Sequence, residues 1–379
     1  MADAAGSRGI CAYACGRAPV ELIEAAGLSP VPLAGAVGRA ADPLLPGNLC
    51  PLAAPVAALA GGAGAVDSGD AADAGARPEA VRALVCAACL PGQRFFDVLD
   101  ERRPALRPVL IELPRQDGTA AREYVAAQLQ RAGESLAGRA VAAAALQAAL
   151  DAWDEAARAY RAVVGDLARR PAGTAAGLVA ALAAGGTAAT LATRLADLPG
   201  AGATASVAGG TASGPRALVV AGASDAGALC LAVERAGLVV AGVDACLARH
   251  LETDRPLAAD PVLAAGPASP WLALSRRCLA GACAAAAALP ARVERLARAA
   301  TATSARVAVL AAARGCPLQA YEAAALDAAL RRMGLLTVLV EAADGAEDAR
   351  RLAAQLEAAT AVATAATAAA ATATTAAWR

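Results

Sequence analysis

The sequence predicts an α/β protein: two doubly wound, Rossmann-like parallel-sheet domains joined by a helical bridge. Three observations lead there. Short apolar runs alternate with longer segments of helical periodicity, the pattern of strand–helix–strand units. The alternation occurs twice, over residues 1–122 and again over 215–358. Between them, residues 123–214 begin with a long stretch whose large residues recur at helical spacing. A chain of 379 residues suits two domains of about 150 residues each with a connector and a tail.

In the first domain, Pro19 to Gly27 has apolar residues at helical spacing and stops at a glycine, the usual C-terminal punctuation. Leu28 to Leu33 runs extended, and a loop dense in proline and glycine follows over residues 42–51. Ala80 to Cys86 reads as a buried strand, Leu90 to Glu101 as a helix and Pro108 to Leu113 as the next strand. Glu123 to about Arg170 reads as helical throughout, a bridge or cap, with Tyr124, Leu129, Leu136, Leu146, Leu150, Trp153 and Tyr160 on its packed face. One helix is expected over Leu178–Leu198, followed by a flexible join near Ala201–Gly214.

The second domain opens with a strand at Ala217–Ala221, a turn at Gly222–Gly227, a helix at Leu229–Gly237 and a strand at Leu238–Val243. A further unit follows: strand Arg306–Leu310, helix Pro317–Met333, strand Leu335–Glu341. The tail over 359–379, almost wholly Ala and Thr, offers little to bury and is expected to fray. The turn GASDAG after Ala221, with Asp244 ending the next strand, has a passing likeness to a dinucleotide loop. Its glycines stand at the wrong spacing for backbone to approach a pyrophosphate, so that reading is set aside.

Composition removes several functions. Acidic and basic residues number 34 each, which leaves no basic field for nucleic acid or anionic lipid. Every basic residue is arginine, so no Schiff base, Walker lysine or lysine general base is available. The hydrophobic fraction of 58% is inflated by alanine. The uncharged run Pro43–Val66 is broken by prolines and Pro171–Thr193 by glycines and threonines, so neither reads as a membrane span. The opening residues lack a positive region followed by an apolar stretch, so a cytoplasmic location is expected.

Ten cysteines in an unexported chain are not readily a disulfide framework; they suggest metal binding or small buried side chains. Three share a context: Cys50 precedes Pro51, Cys316 precedes Pro317, and Cys89 comes two residues before Pro91. Proline belongs in a first helical turn, so each of the three stands where a helix starts. A helix N-terminus offers free N–H donors and partial positive charge, which favour a thiolate or a cluster's sulfides. Cys11, Cys15, Cys230, Cys246, Cys278 and Cys283 read as packing residues. Cys86 and Cys89 form a CAAC pair, but no second such pair completes a zinc site, and His250, the sole histidine, is far away in sequence. Three thiolates with an open fourth position suit a [4Fe–4S] cluster with a labile iron better than structural zinc.

Taken in order, these motifs resemble the subunits of the 2-hydroxyacyl-CoA dehydratases, typified by 2-hydroxyglutaryl-CoA dehydratase, and of the related ATP-dependent benzoyl-CoA reductases. The likeness runs over roughly residues 9–358: PVELIEAAGLSPVPLAG, LPGNLCP at Cys50, CLPGQRFFDVLD from Cys89 with Arg94, Phe96 and Asp97 in step, and IELPRQDGTAAREYV. It continues with VDAC before Arg249, GCPLQAYE at Cys316 and a closing helix RLAAQLEA.

The resemblance implies a [4Fe–4S] cluster held between the two domains by Cys50, Cys89 and Cys316, the fourth iron open. It implies a sister dehydratase subunit, a separate ATP-hydrolysing iron–sulfur activator protein and an acyl-CoA thioester substrate. In the family, one electron delivered at very low potential yields a ketyl radical anion that expels the neighbouring hydroxyl and then returns the electron. Such chemistry answers a physical need, since the β-proton of a 2-hydroxy thioester is scarcely acidic, and an open iron can serve as Lewis acid.

The chain departs from the pattern where the family often has Asp: Leu90 and Pro317 follow the second and third cysteines. Arg314 and Gly315 stand where lysine is usual before the third. Lost carboxylates remove hydrogen bonds that orient ligands. Three readings therefore compete: a dehydratase or benzoyl-CoA-type reductase subunit, a cluster-carrying partner subunit without substrate pocket, and a fold that has lost its metal. Glu21, Asp97 and Glu112 read as helix-surface or strand-end charges with no assigned role.

Overall fold

Ile10–Tyr13 (β1), Ser29–Pro32 (β2), Val81–Ala87 (β3) and Val109–Glu112 (β4) form a four-stranded sheet in the order β2-β1-β3-β4, and every neighbouring pair is parallel. Arg216–Gly222 (β5), Val239–Ala245 (β6), Val307–Ala313 (β7) and Leu336–Ala342 (β8) form a second in the corresponding order β6-β5-β7-β8, again parallel throughout. The coordinates are a computed structural model describing residues 9–13, 15–33, 81–87, 90–200, 214–222, 226–248, 250–251, 269–280, 289–313, 316–342 and 346–376.

Eleven α-helices accompany the strands among the described residues. In the first half these are Val20–Ala25 (α1), Leu90–Arg102 (α2), Thr119–Ala137 (α3), Ala143–Asp166 (α4), Thr174–Ala183 (α5) and Ala188–Ala196 (α6). The second half holds Ala226–Arg235 (α7), Pro270–Ala280 (α8), Leu289–Thr303 (α9), Pro317–Arg332 (α10) and Ala346–Ala376 (α11). The chain divides into two units, each drawn from several segments. The first comprises Met1–Arg161, Ala181–Ala196 and Cys246–Ala287; the second comprises Ala162–Ala180, Asp197–Ala245 and Ala288–Arg379.

Strand alternation builds the core of the second unit. Val219, Val240, Val309 and Val338 point to one face, where Leu229 and Val233 of α7 and Leu356 of α11 close over them. Leu218, Val220, Ala308 and Leu310 point to the other, against Leu296 and Ala300 of α9 and Leu326 and Leu330 of α10. Both faces are covered, so its strands read as unbroken apolar runs. In the first unit, Ala83 and Val85 of β3 pack on Phe95 and Leu99 of α2. There α3 lies against α1, β4 and α8.

Most elements read from sequence are present within one to three residues of their expected ends. Four differ. β1 was not anticipated, yet it is a central strand; ICAY is too short and too poor in branched residues to signal one. The continuous helix expected over Glu123–Arg170 is two, because Gly138 adopts φ 69° and ends α3 in the left-handed region. The single helix expected over Leu178–Leu198 is also two. Gly185 and Gly186 have φ 64° and 107°, and a Cβ at Gly185 would lie 2.7 Å from the Pro30 carbonyl oxygen.

The fourth difference is the tail. The fraying expected from residue 359 is not what the structure shows: α11 continues to Ala376, and Ala359 and Ala363 are buried in the second unit's core. Alanine at every fourth position is small enough to lay a helix close on a sheet, and alanine is the best helix former. No described helix is long and apolar enough to cross a membrane.

Replacing Ala359 by Glu puts an unpaired carboxylate into that seam and is expected to cost about 2–3 kcal/mol in urea denaturation. Ala358→Glu, on the exposed side of the same helix, should be neutral within about 0.5 kcal/mol. Equal effects from the two substitutions would show that the packing of α11 contributes nothing.

Candidate functional site

Parallel sheets of this order have a topological switch between the first and third strands, where crossovers leave in opposite directions and open a crevice at the carboxyl edge. In the first sheet the switch lies between β1 and β3, and in the second between β5 and β7. The chain segments that leave these strands carry most of the unusual chemistry.

In the first unit the turn after β1 holds Cys15, Gly16 and Arg17. A Cβ at Gly16 would fall 1.6 Å from the Cys246 carbonyl oxygen, so glycine alone permits this approach. The Arg17 amide lies 3.5 Å from Cys15 Sγ, and Arg17 Nε donates to the Cys278 carbonyl at 2.7 Å. The guanidinium is only 3% exposed, yet Nη1 and Nη2 find no hydrogen-bond partner among the described residues. Around it are thiols. Cys86 near the end of β3 and Cys278 on α8 are buried and both feel the Arg17 charge. Burial pushes the Cys278 thiol up to about 12 despite that charge. Burial raises Cys86 as well, with the neighbouring sulfurs of Cys15 and Cys278 adding to the effect. Cys11, likewise buried, is pushed up to about 12. These are protonated, poorly nucleophilic side chains at neutral pH.

The same unit contains an ion triad in which Arg277 and Glu21 are buried and Asp154 is partly exposed. Arg277 Nη1 lies 2.8 Å from Glu21 Oε1, and Nη2 lies 2.6 Å from Asp154 Oδ1. The expectation that Glu21 is a surface charge is therefore corrected: at 2% exposure it is a core residue holding α1 to α8. Asp97 is an exposed helix charge paired with Arg94, as expected. Glu112 is a strand-end charge that accepts from Tyr124 at 3.0 Å. His250 stands edge-on to Trp153 with ring centroids 5.3 Å apart; burial pushes its pKa down to about 4, so it is neutral, and its Nδ1 has no partner among the described residues.

In the second unit Cys316 follows β7 and is the N-cap of α10, with Pro317 in the first turn. Its φ of −100° and ψ of 96° are extended, its carbonyl accepts the Ala320 amide at 3.1 Å, and its side chain makes no capping bond. The residue is thus partly exposed at the start of a 16-residue helix, at the positive end of its dipole. Gly222, ending β5 with φ 54°, lets Gln319 of α10 pack closely, since a Cβ there would meet the Gln319 amide at 2.9 Å.

Behind Cys316 lies a network that sequence reading missed. Asp244, at the carboxyl end of β6, accepts from Arg292 Nη1 at 2.6 Å and from Arg295, while Arg292 Nε donates to Glu322 of α10 at 2.9 Å. Asp244 and Arg292 are each 2% exposed. The only signal available was the position of Asp244 at a strand end; nothing local distinguishes Arg292 among the 34 arginines.

Of the three cysteines singled out, Cys316 lies within the described residues, at the N-cap of α10. Cys50 and Cys89 lie outside the described residues; along the chain, Cys89 falls in the two-residue step between β3 and α2. No group of three or more His, Cys, Asp or Glu side chains among the described residues is arranged to hold a metal ion. Two features of the described residues nevertheless fit an anionic sulfur-ligated cluster: a thiol at a helix N-cap after β7, and an orphaned buried guanidinium among thiols after β1. Of the cysteines read as packing residues, Cys11, Cys230 and Cys278 are buried, Cys15 and Cys246 are partly exposed, and Cys283 is outside the described set; Cys86 of the CAAC pair is buried.

Two parallel sheets of matching order, each followed after its third strand by a cysteine that precedes a helix, define an α/β protein built on a repeated cysteine-bearing unit. A family model settles which: the chain belongs to the family of 2-hydroxyglutaryl-CoA dehydratase, D-component, which it matches over residues 15–359. It is accordingly a component of a dehydratase-type enzyme. No curated protein matches it.

Removing Asp244 as Asp244→Ala takes away the carboxylate that Arg292 and Arg295 share, and should cost about 3–5 kcal/mol in urea denaturation. A loss below about 1 kcal/mol would show that the network is hydrated rather than buried.

Proposed function

We propose that this chain is the iron–sulfur subunit of a 2-hydroxyacyl-CoA dehydratase-type enzyme. It acts with a sister subunit and after ATP-driven one-electron activation by a separate iron–sulfur protein. The reaction is loss of water from a 2-hydroxyacyl-CoA thioester. The family match over nearly the whole chain is the observation that carries the reading, and the N-cap position of Cys316 supports it.

Cys50, Cys89 and Cys316 are the proposed ligands of a [4Fe–4S] cluster. Bound there, the cluster supplies one-electron transfer and an open iron able to polarise an oxygen atom. The remaining work belongs to the chain. The partial positive charge of the α10 N-terminus stands beside Cys316 and suits a sulfur ligand. The Asp244–Arg292–Glu322 network fixes α10 against β6 and α9, so that the Cys316 sulfur has one position rather than many.

A second reading, a cluster-carrying partner subunit without its own substrate pocket, is favoured by Leu90 and Pro317. Proline in the first turn of α10 offers neither a carboxylate nor an N–H where the family often has Asp.

Anaerobic reconstitution of the full chain with iron and sulfide should give the broad charge-transfer absorbance of a cubane and about four irons per chain. Cys316→Ser should lose more than about half of that iron. A colourless, iron-free chain overturns the assignment. Adding a 2-hydroxyacyl-CoA separates the two subunit readings: a shift in the cluster's EPR signal identifies the substrate-binding subunit, and an unchanged signal identifies the partner.

A further inference from the structure

Cysteine exposure is uneven along the chain. Among the described residues Cys11, Cys86, Cys230 and Cys278 are buried, while Cys15, Cys246 and Cys316 are partly exposed. Two of those three stand together. Cys15 follows β1, and its carbonyl accepts the Ala18 amide at 2.9 Å, closing a tight turn over Gly16 and Arg17. Cys246 opens a short 3-10 turn, Cys246–Ala248, and belongs to the same unit as Cys15. The pair is distant along the chain and adjacent in space.

Gly16 is where they meet. A Cβ on it would lie 1.6 Å from the Cys246 carbonyl oxygen and 3.4 Å from Cys246 Sγ, so backbone and sulfur of Cys246 both press on this residue. On the other side the Arg17 amide donates to Cys15 Sγ at 3.5 Å. Cys15 is one peptide unit from Gly16, about 3.8 Å between Cα atoms. A disulfide spans about 4.4–6.8 Å between Cα atoms, and the contact at Gly16 holds the two backbones near that span. The buried Tyr13 hydroxyl shows the same proximity: burial raises its pKa, and the charges of Cys246 and Cys15 raise it further.

We propose that Cys15 and Cys246 are a dithiol that a peroxide converts reversibly to a disulfide, a modification site separate from the cluster ligands proposed above. Cys15, as thiolate, attacks one peroxide oxygen; an S–O bond forms, the O–O bond breaks, and the other oxygen leaves as water. Cys246, as thiolate, then attacks the sulfenic sulfur; the S–S bond forms, the S–O bond breaks, and the second oxygen leaves as water. The two sulfurs give up two electrons, the peroxide takes them, and the thiol protons end in the two waters. A small dithiol reverses the step by thiol–disulfide exchange. Cys86 is the other thiol that feels Cys15, but it is buried and burial keeps it protonated, which closes it to a peroxide. The bond fixes the turn after β1, at the carboxyl edge beside the switch between β1 and β3, onto Cys246.

The test exposes the reduced full chain to an equimolar amount of hydrogen peroxide, blocks the remaining thiols with N-ethylmaleimide, and maps cross-linked peptides by mass spectrometry without reduction. The expected result is a dominant cross-link between Cys15 and Cys246, the loss of that pair from the titratable thiols, and faster migration on a non-reducing gel. Dithiothreitol should reverse all three. Cys246→Ser removes the resolving thiol, so a Cys15 sulfenic acid trapped with dimedone should rise about tenfold over wild type. Cys15→Ser should leave Cys246 unmodified at the same dose.

A dominant cross-link of Cys15 to Cys86, or of any other pair, overturns the assignment. So does a wild-type chain whose Cys15 goes on to sulfinic acid with no cross-link formed. The decisive reading is made on the wild-type chain, so it holds even where a serine variant fails to fold. It needs no bound iron, so its outcome and that of the cluster reading are independent.

Discussion

Parallel pairing in one repeated strand order is the constraint on which the rest of the molecule depends. A parallel sheet forces each crossover to run the full length of its strand and to return on one side, so every strand ends at the same edge. Placing the first strand beside both the second and the third sends the crossovers to opposite faces and leaves a gap at that edge. The chain does this twice, and the residues with unusual chemistry gather there: Cys15, Arg17 and Cys86 in the first unit, Gly222, Asp244 and Cys316 in the second. The family match and the topology therefore support one another without sharing an assumption.

A low-dielectric interior makes each of these charges expensive unless it is paired, and the two units meet that demand differently. In the second unit Asp244, Arg292, Arg295 and Glu322 close on each other, two cations against two anions, and the network serves as scaffold for the helix that begins at Cys316. In the first, Arg277 is paired with Glu21 and Asp154, whereas Arg17 is not.

Much of the architecture was legible in the sequence because it rests on local pattern. Valine runs such as Ala217–Ala221 and Leu335–Glu341 read as strands, Gly27 and Gly237 as helix stops, and Cys316–Pro317 as a helix start. What escaped was set by distant partners. β1 is too short to announce itself and is a strand because β2 and β3 flank it. Gly185 breaks a helix because the Pro30 carbonyl lies where a Cβ would go. The Ala-rich tail lacks large side chains, yet Ala359 and Ala363 are buried because a sheet face waits for them. The helix start at Cys316 could be read from its proline; the burial and pairing of Glu21 and Arg292 could not, since these are properties of the fold and not of the local segment.

The account stands on three cysteine sulfurs sharing one cluster that keeps a corner free of protein thiolate. Mössbauer spectroscopy of the full chain reconstituted anaerobically with ⁵⁷Fe reads that directly. The account predicts a four-iron cluster whose spectrum resolves into three sulfur-ligated sites and one distinct site. Four equivalent sulfur-ligated irons, or a mononuclear iron–thiolate signal, would contradict it.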